Sequence, residues 1–276
     1  MKLSTKSVGK IWGRTQLPAP FGDTGGQRIG EIWFEPPAAL PQLLGKYIFT
    51  SDKLSVQVHP SDAQTQALGL GNQGKEECWL VIDAEPGAVL GVGFKQGLDG
   101  KTMRAAALDG SIEDMLEWHP VEAGDFFYIP ANTVHAIGGG ISLIEMQQNS
   151  DITYRLYDYG RPRELHLDEA AAVAQLQRYD ESLHKRISLE NSVNLVNGPY
   201  FRLDQIAGEP GRETAQHYTA PFLIMPTRQP VDVAGEQIMP GECALAESLD
   251  EIRFSPDGVC LLAMPLTAPE TQGEPL

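Results

Sequence analysis

Short strand-like runs, cut by glycine and proline, dominate this chain up to about residue 60 and return after about residue 190. Runs of this kind are too short for core helices, and their β-branched and aromatic residues suit a pleated surface that must bury one face against another sheet. The 28 Gly and 20 Pro among 276 residues supply enough breakers to end each run. An all-β chain of two β-sandwich domains is expected, with short helical insertions and a linking helix. Ser61-Asp62-Ala63-Gln64 reads as a capping box that opens a short helix, which Gly69 or Gly71 can stop. A second insertion, about 101–118, carries a helix start at Ser111-Ile112-Glu113-Asp114 and either covers the mouth of the first sandwich or packs on its outside. LDEAAAVAQL, Leu167 to Leu176, has strong helix formers and an acidic first turn and predicts the linking helix. The expected boundaries are 1–165 for the first sandwich, 166–182 for the link and 183–276 for the second sandwich. NSVNLVN, YFRLDQIA, PFLIMP, ECALAE and GVCLLAMP supply the later strands, and the polar, Pro-rich TAPETQGEPL is expected to be disordered.

Four metal-capable side chains punctuate the first half: Gln57, His59, Glu77 and His135. LSVQVH alternates strictly, so Ser55, Gln57 and His59 share one strand face while Leu54, Val56 and Val58 share the other. Glu77 opens ECWLVID, in which Glu77, Trp79 and Val81 fall on one face. Gly124-Asp125, the run Phe126 to Ile129 and Pro130 read as turn, strand and turn, which brings His135 to the start of a further strand. Two imidazoles, a carboxylate and an amide oxygen suit a borderline divalent cation such as zinc, with a position left open for substrate. Any one of the four alone reads more simply as a surface or hydrogen-bonded residue; the combination carries the metal reading. Pro240-Gly241-Glu242 repeats the turn before an apolar run, but no His follows, so the second sandwich is expected to hold no metal.

With 21 basic against 37 acidic residues the net charge is −16, which disfavours nucleic acid and anionic membranes as partners. No apolar run approaches the ~18 residues that span a bilayer, and MKLSTKSVGK lacks the apolar stretch of a signal peptide, so a cytoplasmic protein is expected. Cys78, Cys243 and Cys260 form no pairing pattern and read as small buried hydrophobes. Trp12, Trp33 and Trp79 are assigned to the core.

The spacing of these residues has the shape of the two cupin motifs, and longer segments agree with it. KIWGRTQL, GEIWF, KLSVQVHPSD, GKEECWLVIDAEPGA, AGDFFYIPANTVHAIGGG and EMQQNSDITYRLYDYGR together cover most of residues 10 to 165. Over this stretch the chain resembles the type I mannose-6-phosphate isomerases, in their short bacterial form. The resemblance implies two jelly-roll cupin domains, the second degenerate and metal-free. It also implies one divalent metal ion, zinc, held by Gln57, His59, Glu77 and His135, and a small sugar phosphate as partner. The implied chemistry interconverts mannose 6-phosphate and fructose 6-phosphate through a cis-enediol, with the ion stabilising charge on adjacent oxygens. Oligomeric state does not follow from it.

An acidic protein that handles a sugar phosphate must gather its cations locally, and Lys75, Arg155 and Arg161 lie in or beside the matched segments. Lys75, two residues before Glu77, places an ammonium near the ion, for proton transfer or charge contact; without the flanking motif it reads as a solvated loop lysine. Arg155 suits phosphate or a polarised oxygen, and Asp151 can orient a base or hold a sugar hydroxyl. Alternatively these two simply pair at a turn. Longer family members have a His where this chain has Gly74, so that His cannot be the base here. Two other functions remain for such a site: a cupin iron(II) oxygenase with a two-His-one-Glu triad, against which Gln57 argues, and a non-catalytic sugar-binding cupin.

Overall fold

The computed structural model describes residues 1–266; the polar tail TAPETQGEPL lies outside the described residues. The chain is mostly β, built from antiparallel sheets with few helices. It divides into two compact units, one of Thr5–Phe34 with Leu44–Ser188 and one of Met1–Ser4 with Glu35–Leu43 and the chain from Leu189 onward.

The larger sheet of the first unit runs, edge to edge, Thr5–Arg14, Ile29–Phe34, Leu43–Phe49, Ile141–Gln148, Glu77–Ala84, Asp125–Ile129 and His184–Arg186. The smaller runs Tyr154–Tyr157, Val56–Val58, His135–Ile137, Val89–Phe94 and Leu116–Pro120. Between Leu43 and Tyr157 nearly every connection crosses from one sheet to the other. That is the jelly-roll path, and it makes strands close in sequence face each other across the gap. Trp79, Val81, Leu90, Val92, Phe127, Ile137, Ile141 and Leu143 fill that gap.

Because side chains alternate along a strand, Val56, Val58, Val134, Ala136 and Leu156 point to the outer face of the smaller sheet. Helices Gly100–Asp109, Ile112–Met115 and Leu167–Val173 cover them with Met103, Ala106, Ala107, Ile112, Ala170 and Val173. Of the two placements open to the insertion, it adopts the outside one. Its helix starts at Gly100, where the Asp99 carboxylate accepts from Thr102 N at 2.7 Å, and stops at Gly110 with φ 87°. Ser111 makes no side-chain cap on the short helix that follows. The capping box at Ser61 and Gln64 is present and opens helix Asp62–Ala67. The helix from Leu167 ends at Val173, short of Leu176, because the next residues pair with distant backbone instead: Gln175 N donates to Asn132 O, while Leu176 O and Gln177 O accept from Leu98 N and Phe94 N.

The second unit stacks a five-stranded sheet, Val193–Asn197, Phe201–Ala207, Val259–Pro265, Phe222–Pro226 and Ala244–Ala246, with a three-stranded one, Glu236–Ile238, Val231–Val233 and Ile252–Arg253. Ile206, Phe222, Ile224, Val231, Val233, Ile238 and Leu262 form its core. Leu3 N donates to Cys243 O at 2.8 Å, which ties the first residues to this unit. All three cysteines are buried and unpaired. Among the described residues no helix is long and apolar enough to cross a membrane.

Leu143 is fully buried in the inter-sheet core, whereas Leu108 is 66% exposed. Leu143→Ala is expected to cost about 2–5 kcal/mol by leaving a cavity, and Leu108→Ala about 0.5 kcal/mol or less. Denaturant unfolding of both variants checks the contrast.

Candidate metal centre

Strand register builds the site. In the smaller sheet Arg155 pairs with Gln57 and Gln57 with His135, so the three side chains form a row on the face turned toward the other sheet. In the larger sheet Gln147 pairs with Glu77, and Glu145 with Trp79, on the opposing face. His59 follows strand Val56–Val58 by one residue and turns into the same gap. Ligand atoms of His59, Glu77 and His135 all lie within 4.8 Å of one another, and all three residues are buried. His59, Glu77 and His135, expected on three different strands, are therefore together, with Gln57 beside His135.

Their hydrogen bonds leave the right atoms free for a cation. His59 Nδ1 lies 2.8 Å from Ile152 O and His135 Nδ1 lies 2.9 Å from Thr133 O. A carbonyl only accepts, so both Nδ1 atoms carry the proton and both Nε2 lone pairs face Glu77. The Nε2 atoms stand 3.6 Å and 3.4 Å from the two Glu77 oxygens. Oε1 accepts no hydrogen bond, and the one donor beside Oε2 is the Lys75 ammonium. A buried carboxylate with so few donors is costly unless a cation stands beside it. One does: Lys75 Nζ is 2.6 Å from Glu77 Oε2 and 3.1 Å from His59 Nε2. The donor set fits a divalent ion. Gln57 adjoins it with its amide nitrogen 3.3 Å from His135 Nε2 and its oxygen 3.4 Å from Ser55 Oγ; ligation by the oxygen takes a half-turn of the amide.

Burial, the Lys75 ammonium and His135 push the His59 pKa well below the ordinary histidine value. Burial lowers His135 too, outweighing the attraction of Glu77. For Glu77, burial raises the carboxyl, but Lys75 and His135 overcome it and hold the group below its usual range. The centre therefore keeps neutral imidazoles and an ionised carboxylate, the protonation state that metal binding needs.

Around the centre runs an array of alternating charge that the sequence reading missed. Lys75 Nζ is 3.8 Å from Glu145 Oε1, which lies 2.8 Å from Lys46 Nζ. Lys46 is 4.0 Å from Glu31, and Glu31 is 3.2 Å from Lys10. Trp79 Nε1 donates to Glu145 at 3.0 Å and Trp33 Nε1 donates to Glu31. The available signal was period two: Glu31 with Trp33 in GEIWF, and Lys46 within the otherwise apolar LLGKYIF, each point a charge to a face that should be core.

Lys10, Glu31, Trp33, Lys46, Lys75 and Glu145 line a cavity of about 490 Å³ with Gln57, Gln147, Asp151, Arg155 and Arg163. Trp12 and Trp79, assigned to the core from sequence, are both buried in it, Trp12 also reaching the cavity wall, whereas Trp33 is half-buried at that wall. Asp151 is exposed at the mouth, and the described residues show no ion pair between it and Arg155. Arg155 donates from Nη1 to Glu164 O at 2.9 Å, and its buried Nε has no partner. Burial and the nearby Arg163 lower the Arg155 pKa. Arg161 turns instead to Asp158, 3.5 Å away, and to the Lys53 carbonyl. At Gly74 a Cβ would sit 2.4 Å from Pro60 O, so a histidine there is sterically excluded.

A jelly roll with a buried His, Glu, His group between its sheets defines a cupin with a possible metal site. No family model matches the chain. It is 36% identical over 205 residues to a mannose-6-phosphate isomerase of Streptococcus mutans, over 71% of this chain and 63% of that protein. It is 30% identical over 221 residues to a putative mannose-6-phosphate isomerase of Bacillus subtilis, over 72% of this chain and 69% of that protein. The crystal structure of the mannose 6-phosphate isomerase from Bacillus subtilis matches with a TM-score of 0.78 over 95% of this chain and 98% of that one, at 23% identity, a likeness of fold. The chain belongs to the mannose-6-phosphate isomerase family. It spans less than two thirds of the length of the Streptococcus mutans relative.

The two imidazoles generate a pH prediction for metal-free protein. Both stay neutral when folded, whereas the unfolded chain takes up protons near pH 6.5. The unfolded state thus binds more protons below that pH, and stability should fall as pH drops from about 6.5. Melting of chelator-treated protein across pH 5–8 should show this decline; a melting temperature that is flat or rises on acidification would contradict it.

Proposed function

We propose that this protein is a metal-dependent aldose–ketose isomerase that interconverts mannose 6-phosphate and fructose 6-phosphate in the cytoplasm, with its chemistry in the first sandwich and none in the second. The observation that carries the reading is the Glu77 carboxylate, buried between two imidazole Nε2 atoms and against Lys75, which lines a cavity together with Lys10, Lys46, Arg155 and Arg163. Family membership names the substrate; the donor set supplies the chemistry.

Gln57, His59, Glu77 and His135 would hold one divalent ion, zinc by the nature of the ligands. When bound it supplies Lewis-acid stabilisation of the charge that develops on the sugar oxygens. Lys75, against Glu77 and near Glu145, is an ammonium and would move protons at the sugar oxygens, while the proton that leaves C2 returns to C1. The O2 hydroxyl proton passes to O1 in the same isomerisation, so nothing is gained or lost. Arg155 and Arg163 gather at one end of the cavity, where the unpartnered Nε of Arg155 suits a phosphate oxygen. Asp151, at the mouth, holds a sugar hydroxyl. Glu145 and Gln147 on the facing sheet fix the sugar plane and exclude water.

Coupled detection of fructose 6-phosphate formed from mannose 6-phosphate tests the reading. Prolonged chelation should abolish turnover and zinc should restore it; full activity in demonstrably metal-free protein would refute the role of the ion. Lys75→Met should keep metal near one per chain and lower kcat by roughly 100-fold. Glu77→Gln should instead lose metal, with partial rescue by excess zinc. Wild-type turnover by Lys75→Met would reduce Lys75 to a bystander.

A further inference from the structure

His59 and His135 stand on different strands, and an ion bound by both needs their separation held. Each ring is aimed through its Nδ1 by a carbonyl, Ile152 O and Thr133 O; the pairing of Gln57 with His135 joins the two strands beyond His59, but at His59 itself a further tie is needed. Asn132 supplies it. It lies three residues before His135 with φ 73°, and its backbone N–H donates to His59 O at 2.8 Å. Its side-chain Nδ2 donates to the same carbonyl at 3.2 Å and to Gln64 Oε1 at 2.7 Å.

The orientation of both amides follows from the donors around them. Ser61 N donates to Gln64 Oε1 at 2.8 Å, which identifies that atom as oxygen; the atom of Asn132 facing it, and facing His59 O, must then be nitrogen. Gln64 belongs to the capping box of helix Asp62–Ala67, so the helix start, the His59 carbonyl and the turn before His135 meet at one side chain. The left-handed backbone alone calls for Gly, Asn or Asp. Of these only Asn supplies the two side-chain donors that are used.

We propose that Asn132 is a positioning residue that ties the His59 segment to the His135 segment, sets the separation of their Nε2 atoms and so sets the affinity of the centre for a divalent ion. The inference rests on the metal reading above and concerns how tightly the ion is held, apart from which sugar is isomerised. Asn132→Gly keeps the backbone N–H and the left-handed conformation and removes both side-chain bonds. Asn132→Asp keeps the shape and tolerates the same conformation, but sets a carboxylate against two acceptors, His59 O and Gln64 Oε1.

Zinc affinity is to be measured by competition with a chromophoric chelator, beside the melting temperature of each metal-free variant. Asn132→Gly should weaken zinc binding by roughly 10-fold and Asn132→Asp by more, toward 100-fold, the range for residues that orient metal ligands. A mere turn residue would not give that order, because Asp suits the turn. If Asn132→Asp does not fold, Asn132→Gly carries the test. Variants that melt lower yet bind zinc as the wild type does would overturn the inference and leave the metal reading standing. A wild-type chain with no measurable zinc affinity would sink both.

Discussion

The buried carboxylate of Glu77 is the constraint on which the first unit depends. It is 1% exposed and has no hydrogen-bond donor but the Lys75 ammonium, so its charge has to be balanced by cations and by polarisable neighbours. Lys75 provides one cation, and the two imidazoles offer lone pairs that a metal ion would share with the carboxylate. Around them Lys10, Lys46 and Lys75 alternate with Glu31, Glu77 and Glu145. Three positive charges meet three negative ones, so the array is balanced by itself. A divalent ion among neutral imidazoles then makes the cavity net positive, and Arg155 and Arg163 add to it. That field suits an anionic sugar in a protein whose overall charge is −16.

The second unit shows what a buried carboxylate looks like when its role is structural. Asp204 is buried to the same degree as Glu77, yet it accepts from Arg202 Nε at 2.6 Å, Asn194 Nδ2 at 2.9 Å and Tyr218 Oη at 2.7 Å. Every demand of that charge is met by protein. Glu77 and Asp204 thus differ in satisfaction, not in burial. The described residues contain one group of His, Cys, Asp and Glu arranged to hold an ion, and it is in the first unit.

The four candidate ligands were legible because period two is local: LSVQVH and ECWLVID state which residues share a face without reference to anything distant. The helix at Asp62 was legible for the same reason, since a capping box closes within four residues. Other features were not. The helix from Leu167 keeps its pattern to Leu176 but stops at Val173, because backbone groups more than 40 residues away in sequence, Asn132 on one side and Phe94 and Leu98 on the other, take up its next groups. Trp33 looked like core because its apolar area dominates any sequence scale, and only its position beside the cavity shows the ring edge to be in use.

By itself, then, the sequence determined the all-β class, the faces of its strands and the identity of the residues able to hold a metal, all of which follow from spacing within a few residues. The tertiary structure decided which charges converge. Lys46, Glu31 and Glu145 come from three strands of one sheet, and their pairing depends on how those strands lie side by side. It also decided between two arginines: Arg155 faces the cavity because its strand places it opposite Gln57, while Arg161, six residues on and past the end of that strand, turns to Asp158. Spacing along the chain is a local property, whereas a charge finds its partner only across the gap that folding creates.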